Sequence, residues 1–204
     1  MAGWIALAII VLLLIGLAYL YNRLVAGRNR TQEAWSGIDV ELKRRHDLAP
    51  NLVETVRGYA AHERGTLDEV TKARTSAESA AGTGDPAAMG SAEGALTQAL
   101  HQLFAVAESY PDLKAVATFQ ELQQQLVEAE DKIEFSRRFY NGNVRDYNTS
   151  LQTLPASLIA GALGFKPFEF FQPNAIDREV PPVRFASPEG RVPPAQPPSS
   201  PPSA

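Results

Sequence analysis

Residues 4–21 read WIALAIIVLLLIGLAYLY, with eleven Leu, Ile or Val and no charged residue. At roughly −0.3 to −0.6 kcal/mol each, those eleven favour insertion into a bilayer by about 3–7 kcal/mol. A helix of that length rises about 27 Å, enough to cross a hydrocarbon core. Trp4 at one end, with Tyr19 and Tyr21 at the other, suits the two membrane–water interfaces. Gly16 and Ala18 would satisfy a signal-peptide cleavage rule, but Met1–Gly3 carry no positive side chain, so the expectation is an uncleaved anchor over 1–22. No Lys or Arg precedes the span, whereas Arg23, Arg28, Arg30, Lys43, Arg44 and Arg45 follow it. That asymmetry predicts a single-pass protein of the cell membrane, N-terminus outside and the following domain cytoplasmic.

From residue 23 to 171 the apolar positions recur at helical spacing. Trp35, Ile38, Leu42, Arg45, Ala49, Leu52, Val56 and Tyr59 form a heptad seam that is apolar at every position but one. A second seam runs Met89, Ala92, Leu96, Ala99, Leu103, Val106, Tyr110, and a third from Phe119 through Leu126, Ile133, Tyr140 and Asn143 to Tyr147. No stretch alternates with period two over strand length, so the domain reads as all-α. Gly82-Thr83-Gly84 closes one helix, and Asp85-Pro86 opens the next as N-cap and first-turn proline. Pro111 predicts a turn, and the glycines at 58 and 65, with Thr66 and Glu69 as a capping box, predict a break. Four long, coiled-coil-like helices follow, near 24–60, 66–81, 86–109 and 112–153. Short connections predict an antiparallel up-and-down four-helix bundle behind the transmembrane helix. Residues 172–204, rich in Pro and Ser, predict a disordered tail.

One segment breaks the pattern. VELKRRHDLAPNL, residues 40–52, holds three consecutive cations, a histidine, an aspartate and a proline within an apolar seam. Pro50 cannot donate to the carbonyl of His46, but the seam continues in phase, so the helix should bend and resume. Lys43, Arg44 and His46 are expected to point outward. Arg45 falls on the seam, where pairing with Glu130 or Glu134 of the last helix is expected. Arg45, Asp47, Pro50, Glu130 and Glu134 are therefore the candidate interaction or structural residues.

Composition narrows the function. A net charge of −4 and a pI near 5.4 argue against nucleic acid as a partner. With no cysteine there is no thiol nucleophile, thiolate metal site or disulfide. His46, His62 and His101 lie on different predicted helices without Glu or His at metal-binding spacing. GTGDPA at 82–87 lacks the preceding strand of a dinucleotide loop, and GSAEG places Ser91 second rather than central. Glu128, Glu130, Asp131 and Glu134 read as a solvated face, with Glu128 supporting Lys132. No catalytic, cofactor or metal site is predicted, and no cofactor.

The blocks YNRLVAGRNRTQEAWSGIDVELKRRHDLAPNLVETVRGYAAHE, AVAESYPDLKA, FQELQQQLVEAEDKIEFSRRFYNGNVRDYN and LPASLIAGALGFKPFEFF resemble the LemA family of bacterial membrane-anchored helical proteins. The resemblance covers residues 19–171 and implies one transmembrane helix and a four-helix-bundle domain. Gly65 and the proline-rich tail depart from the family pattern. The family carries no established catalytic activity. The expected function is thus a non-enzymatic interaction or scaffold protein at the cytoplasmic membrane, with the lipid bilayer and other membrane proteins, or a second copy, as partners. A role in membrane-surface remodelling or as a stress-linked oligomeric bundle is the alternative, and an enzyme of unrecognised type the third. For the membrane-surface role, Phe165, Phe168, Phe170 and Phe171 join Trp4, Tyr19 and Tyr21 as candidate interface residues.

Overall fold

The computed structural model describes residues 1–172, and the described chain is all-α. Helix α1 spans Ala2–Arg57, α2 Arg64–Ala81, α3 Pro86–Ala107, α4 Pro111–Lys114 and α5 Ala117–Gln152. A 3-10 turn at Ala156–Leu158 follows, and residues 165–172 form an irregular strap. The proline-rich tail expected from sequence lies outside the described residues, apart from Gln172.

The apolar anchor and the first helix of the body are one element. Sequence placed a boundary near residue 23, but nothing there breaks a helix, and α1 runs unbroken for 56 residues. Residues 1–19 are exposed, which leaves most of the apolar run uncovered by the rest of the described chain. The run is long and apolar enough to cross a membrane. From Leu24 onward α1 packs against α5. Gly27 meets the ring of Tyr147, Trp35 meets Tyr140 with ring centroids 5.1 Å apart, and Arg45 meets Glu130, so partner numbers fall on α5 as they rise on α1. Helix α2 packs on α3 and α1.

Pro50 stays within the helix. It is exposed, and the carbonyl of His46, which Pro50 leaves without its usual donor, accepts a hydrogen bond from Arg74 Nε of α2 at 2.8 Å. A side chain from a neighbouring helix thus replaces the missing backbone bond.

Two seams shift slightly from their expected faces. On α3 the expected Met89, Leu96, Ala99 and Leu103 are buried and Gly90, Glu93, Leu100 and Ala107 join them, whereas Ala92 and Val106, with Tyr110 past the helix end, are only half-buried. On α5 Val144 is buried in place of Asn143, and Tyr59 beyond the end of α1 is exposed. The N-cap at Asp85 forms as expected, its carboxylate accepting from Ala87 N at 2.9 Å. The Thr66–Glu69 capping box does not form: α2 begins earlier, at Arg64, which places Thr66 inside the helix. Pro111 opens the short α4, giving the expected turn, and the long last helix starts only at Ala117.

Candidate functional site

Arg45 is only 1% exposed and lies at the meeting of three helices. Its Nη1 donates to Thr97 Oγ1 at 2.8 Å and to Glu130 Oε2, and its Nη2 donates to Glu93 Oε2. His46, the next residue on α1, donates from Nε2 to the other oxygen of Glu93 at 2.8 Å. Glu93 and Thr97 stand one turn apart on α3, and Glu130 comes from α5. With Arg74 of α2 on the His46 carbonyl, the cluster ties the four long helices together. Among the described residues, Arg45 Nε has no hydrogen-bond partner.

Burial pushes the Glu93 carboxyl up, but the His46 hydrogen bond and the Arg45 charge outweigh it and hold Glu93 below the ordinary carboxylate range. Such a carboxylate is a weak base. The guanidinium lies between the two carboxylates and pairs with both. This arrangement suits a structural clasp better than proton transfer.

The expected residues fall in different surroundings. Arg45 and Glu130 meet as anticipated, although Glu93 is the more deeply buried partner, at 3% exposure. Glu134 does not reach Arg45; it faces Arg138 on its own helix at 3.5 Å. Asp47 is exposed beside Lys43 at 3.3 Å. His46 corrects an expectation: it is buried rather than outward, because Glu93 provides an acceptor inside the core. Lys43 is exposed, and Arg44 spans from Glu41 to Glu128. Glu128 also pairs with Lys132 at 2.8 Å.

Glu93 went unnoticed in the sequence although a signal existed. It stands four residues after Met89 and three before Leu96, a lone acid on an apolar line just as Arg45 is a lone base on another.

The carboxyl segment divides into two kinds of surface. Phe165 and Phe171 are buried and Phe168 half-buried, so these three pack into the body instead of forming an open apolar face. Phe171 meets Trp35 at 5.6 Å between ring centroids, and Phe168 meets Tyr147 at 5.3 Å. Asn148 donates to the carbonyl of Phe168 at 2.8 Å and accepts from its N–H at 3.0 Å. Asn141 does the same for Phe171, at 3.0 Å in both directions. The Tyr140 hydroxyl donates to the Glu169 carbonyl at 2.9 Å; burial, with the Glu169 charge, pushes that phenol up to about 12 and keeps it a donor. Leu158, Leu163 and Phe170 remain exposed.

Trp4, Tyr19 and Tyr21 are exposed on the apolar end of α1. Tyr21 also touches the Phe165 ring edge-on at 5.7 Å, over which Arg28 lies at the same distance. Leu163 shares a small apolar hollow with Leu14, Leu17, Ala18 and Tyr21.

An all-helical body carried on a helix whose free end is apolar enough for a bilayer defines a class: helical proteins built for membrane association. More narrowly, the chain belongs to the LemA family, whose model matches residues 34–185. It is similar to the magnetosome proteins MamQ 1 and MamQ 2 of Paramagnetospirillum magneticum, each 31% identical over 176 residues, covering 74% of this chain and 64% of theirs. The match therefore spans less than two thirds of those relatives. Protein LemA of Metamycoplasma hominis is 27% identical over 158 residues, covering 77% of this chain and 71% of its own.

Proposed function

We propose that the protein is a single-pass, membrane-anchored interaction protein without enzymatic activity. Its body is an up-and-down four-helix bundle on the cytoplasmic side, and it assembles with further copies of itself in the plane of the membrane. One observation carries this reading: Val127, Phe135 and Phe139 stand in line on the outer face of α5, with the two phenylalanines 66% and 58% exposed. Val40 of α1 is exposed as well. Exposed aromatic side chains in a row mark contact surfaces more often than solvated ones. A membrane anchor holds every copy upright and at one height, so a stripe along α5 meets the same stripe on a second copy about a two-fold axis normal to the bilayer. The MamQ relatives are named as magnetosome proteins, which supports placing this chain at a membrane.

The cysteine-free chain makes the test direct. Asp131 lies on the stripe between Val127 and Phe135, so Asp131→Cys in native membranes should form a disulfide-linked dimer under mild oxidation. Phe135→Glu with Phe139→Glu should abolish that dimer, and a cysteine at Thr75 on α2 should give none. Absence of the Asp131→Cys dimer overturns the self-association. Orientation is read separately: a membrane-impermeant thiol reagent should label Gly3→Cys on intact cells and label Ser76→Cys only after lysis.

A further inference from the structure

A cleft of about 480 Å³ opens between α1 and α5 just past the apolar run. Arg23 and Arg30 line it from α1 and Arg145 from α5, with Asn143, Thr149 and Ser150 beside them. Asp146 is the sole carboxylate among the lining residues. Elsewhere Arg44, Arg45, Arg57, Arg74 and Arg138 each have an acidic partner, whereas Arg28, Arg64 and Arg137 stand apart from one another and outside this cluster of lining cations. Among the described residues, none of the three cleft arginines is within ion-pair distance of a carboxylate; the single bond of Arg30 runs to the Ala26 carbonyl of its own helix. Two packed helices thus bring together three cations that repel one another, against a single lining carboxylate, Asp146, that pairs with none of them.

A second observation comes from the cleft wall. Tyr147 is 3% exposed, and its hydroxyl has no hydrogen-bond partner among the described residues. A buried phenol without an acceptor is costly.

Height places the cleft at the membrane surface. At 1.5 Å per residue, Arg23 lies about 3 Å and Arg30 about 14 Å beyond Tyr21 along the helix. The headgroup layer on each side of a bilayer is roughly 5–8 Å deep, so the cleft spans that layer and the water just above it. Guanidinium groups bind phosphate with two parallel hydrogen bonds, and hydroxyl and amide groups serve the ester oxygens.

We propose that the cleft bounded by Arg23, Arg30 and Arg145 binds a phosphate ester anion, presented on the headgroup of an anionic membrane phospholipid. The three arginines neutralise the phosphate, while Asn143, Thr149 and Ser150 contact the headgroup. A soluble phosphate would satisfy the same chemistry, but the position beside the span favours the lipid. The site rests on α1 crossing the bilayer, which the thiol-labelling experiment above tests independently, and not on self-association.

The experiment uses the full chain in a neutral detergent, titrated with short-chain phosphatidylglycerol, short-chain phosphatidylcholine or inorganic phosphate, with adducts counted by native mass spectrometry. The expected result is one retained phosphatidylglycerol per chain, at least about tenfold weaker retention of phosphatidylcholine, and no displacement by millimolar phosphate. Arg30→Gln with Arg145→Gln should lower phosphatidylglycerol retention at least about tenfold. Arg64→Gln with Arg137→Gln, which removes as much charge outside the cleft, should leave it unchanged. Ser150→Asp keeps every arginine and should abolish retention, so it gives an answer even if the double cleft variant fails to fold. Full displacement by inorganic phosphate would keep the anion site and overturn the lipid as its source. Equal losses in the cleft and control pairs, or no phosphatidylglycerol adduct on the native chain, would overturn the site.

Discussion

Arg45 and Gly90 show how single residues hold this fold. Arg45 neutralises two acids from two other helices, and removing it leaves Glu93 charged, buried and short of a partner. Breaking a buried pair in this way costs about 3–5 kcal/mol. Arg45→Ala should therefore lower the denaturation midpoint severely, whereas Arg44→Ala, at a partly exposed pair, should be close to neutral. Equal small shifts from both would mean that the cluster is not the clasp described. The same cluster sets a pH response. Because Glu93 titrates below its unfolded value, its contribution is present above the ordinary carboxylate range and lost as pH falls through the lower folded value. Glu93→Gln should thus destabilise the protein near neutrality and flatten that part of the acid-denaturation curve; an unchanged acid limb would refute the assignment. Gly90 matters for space alone. A Cβ there would lie 2.0 Å from the carbonyl oxygen of Gln172, a backbone atom that cannot swing aside. Gly90→Ala should cost about 1–3 kcal/mol by overpacking, read as a fall in melting temperature of about 2–4 °C per kcal/mol.

At the scale of elements, the helices were legible in the sequence and their non-helical companions were not. Ile38, Leu42, Ala49, Leu52 and Val56 announce the buried face of α1 by their spacing, and Asp85-Pro86 announces the start of α3. What stayed hidden depends on residues distant in the chain. The donor that rescues Pro50 is 28 positions from the carbonyl it serves, and periodicity carries no record of such a bond. The strap is hidden for the same reason. Asn141 and Asn148 are seven residues apart, which advances about 10.5 Å along α5. Phe168 and Phe171 are three apart, which advances about 10 Å in near-extended chain. The two rises match, so each asparagine amide meets the N–H and the C=O of one strap residue. Backbone amides of Phe168 and Phe171 should accordingly exchange slowly with deuterium although they lie in no helix or strand. Asn148→Ala should speed exchange at Phe168 much more than at Phe171. Fast exchange at both positions in the native chain would mean that the strap does not stay docked.

For the whole molecule, the governing fact is that anchor and body share α1. Full burial of α1 begins at Leu24, three residues past Tyr21, so the height of the body is set by the helix itself and not by a linker. That height brings Leu163 beside Leu14, Leu17 and Ala18. Measured along the helix, these residues lie roughly 5–10 Å inside the end of the apolar run, the depth at which apolar side chains of interfacial segments settle. With α1 across a bilayer as proposed, the prediction is that the turn over Ala156–Leu158 meets the lipid surface as a foot through the exposed Leu158 and Leu163, while Phe165, Phe168 and Phe171 stay packed in the body. Sequence could place the segment near the apolar run of α1, since it follows a helix expected to return toward it, but could not tell its exposed residues from its buried ones. A nitroxide on Leu158→Cys, in the full chain in vesicles, should be more accessible to oxygen than to a water-soluble nickel chelate. Seven alanines inserted between Asn22 and Arg23 add about two turns, which nearly preserves the face of α1 and lifts the body about 10.5 Å. The label should then become accessible to the chelate. If it is already so in the native chain, Leu158 does not touch the bilayer and the foot fails. If the insertion changes nothing, α1 does not set the height of the body.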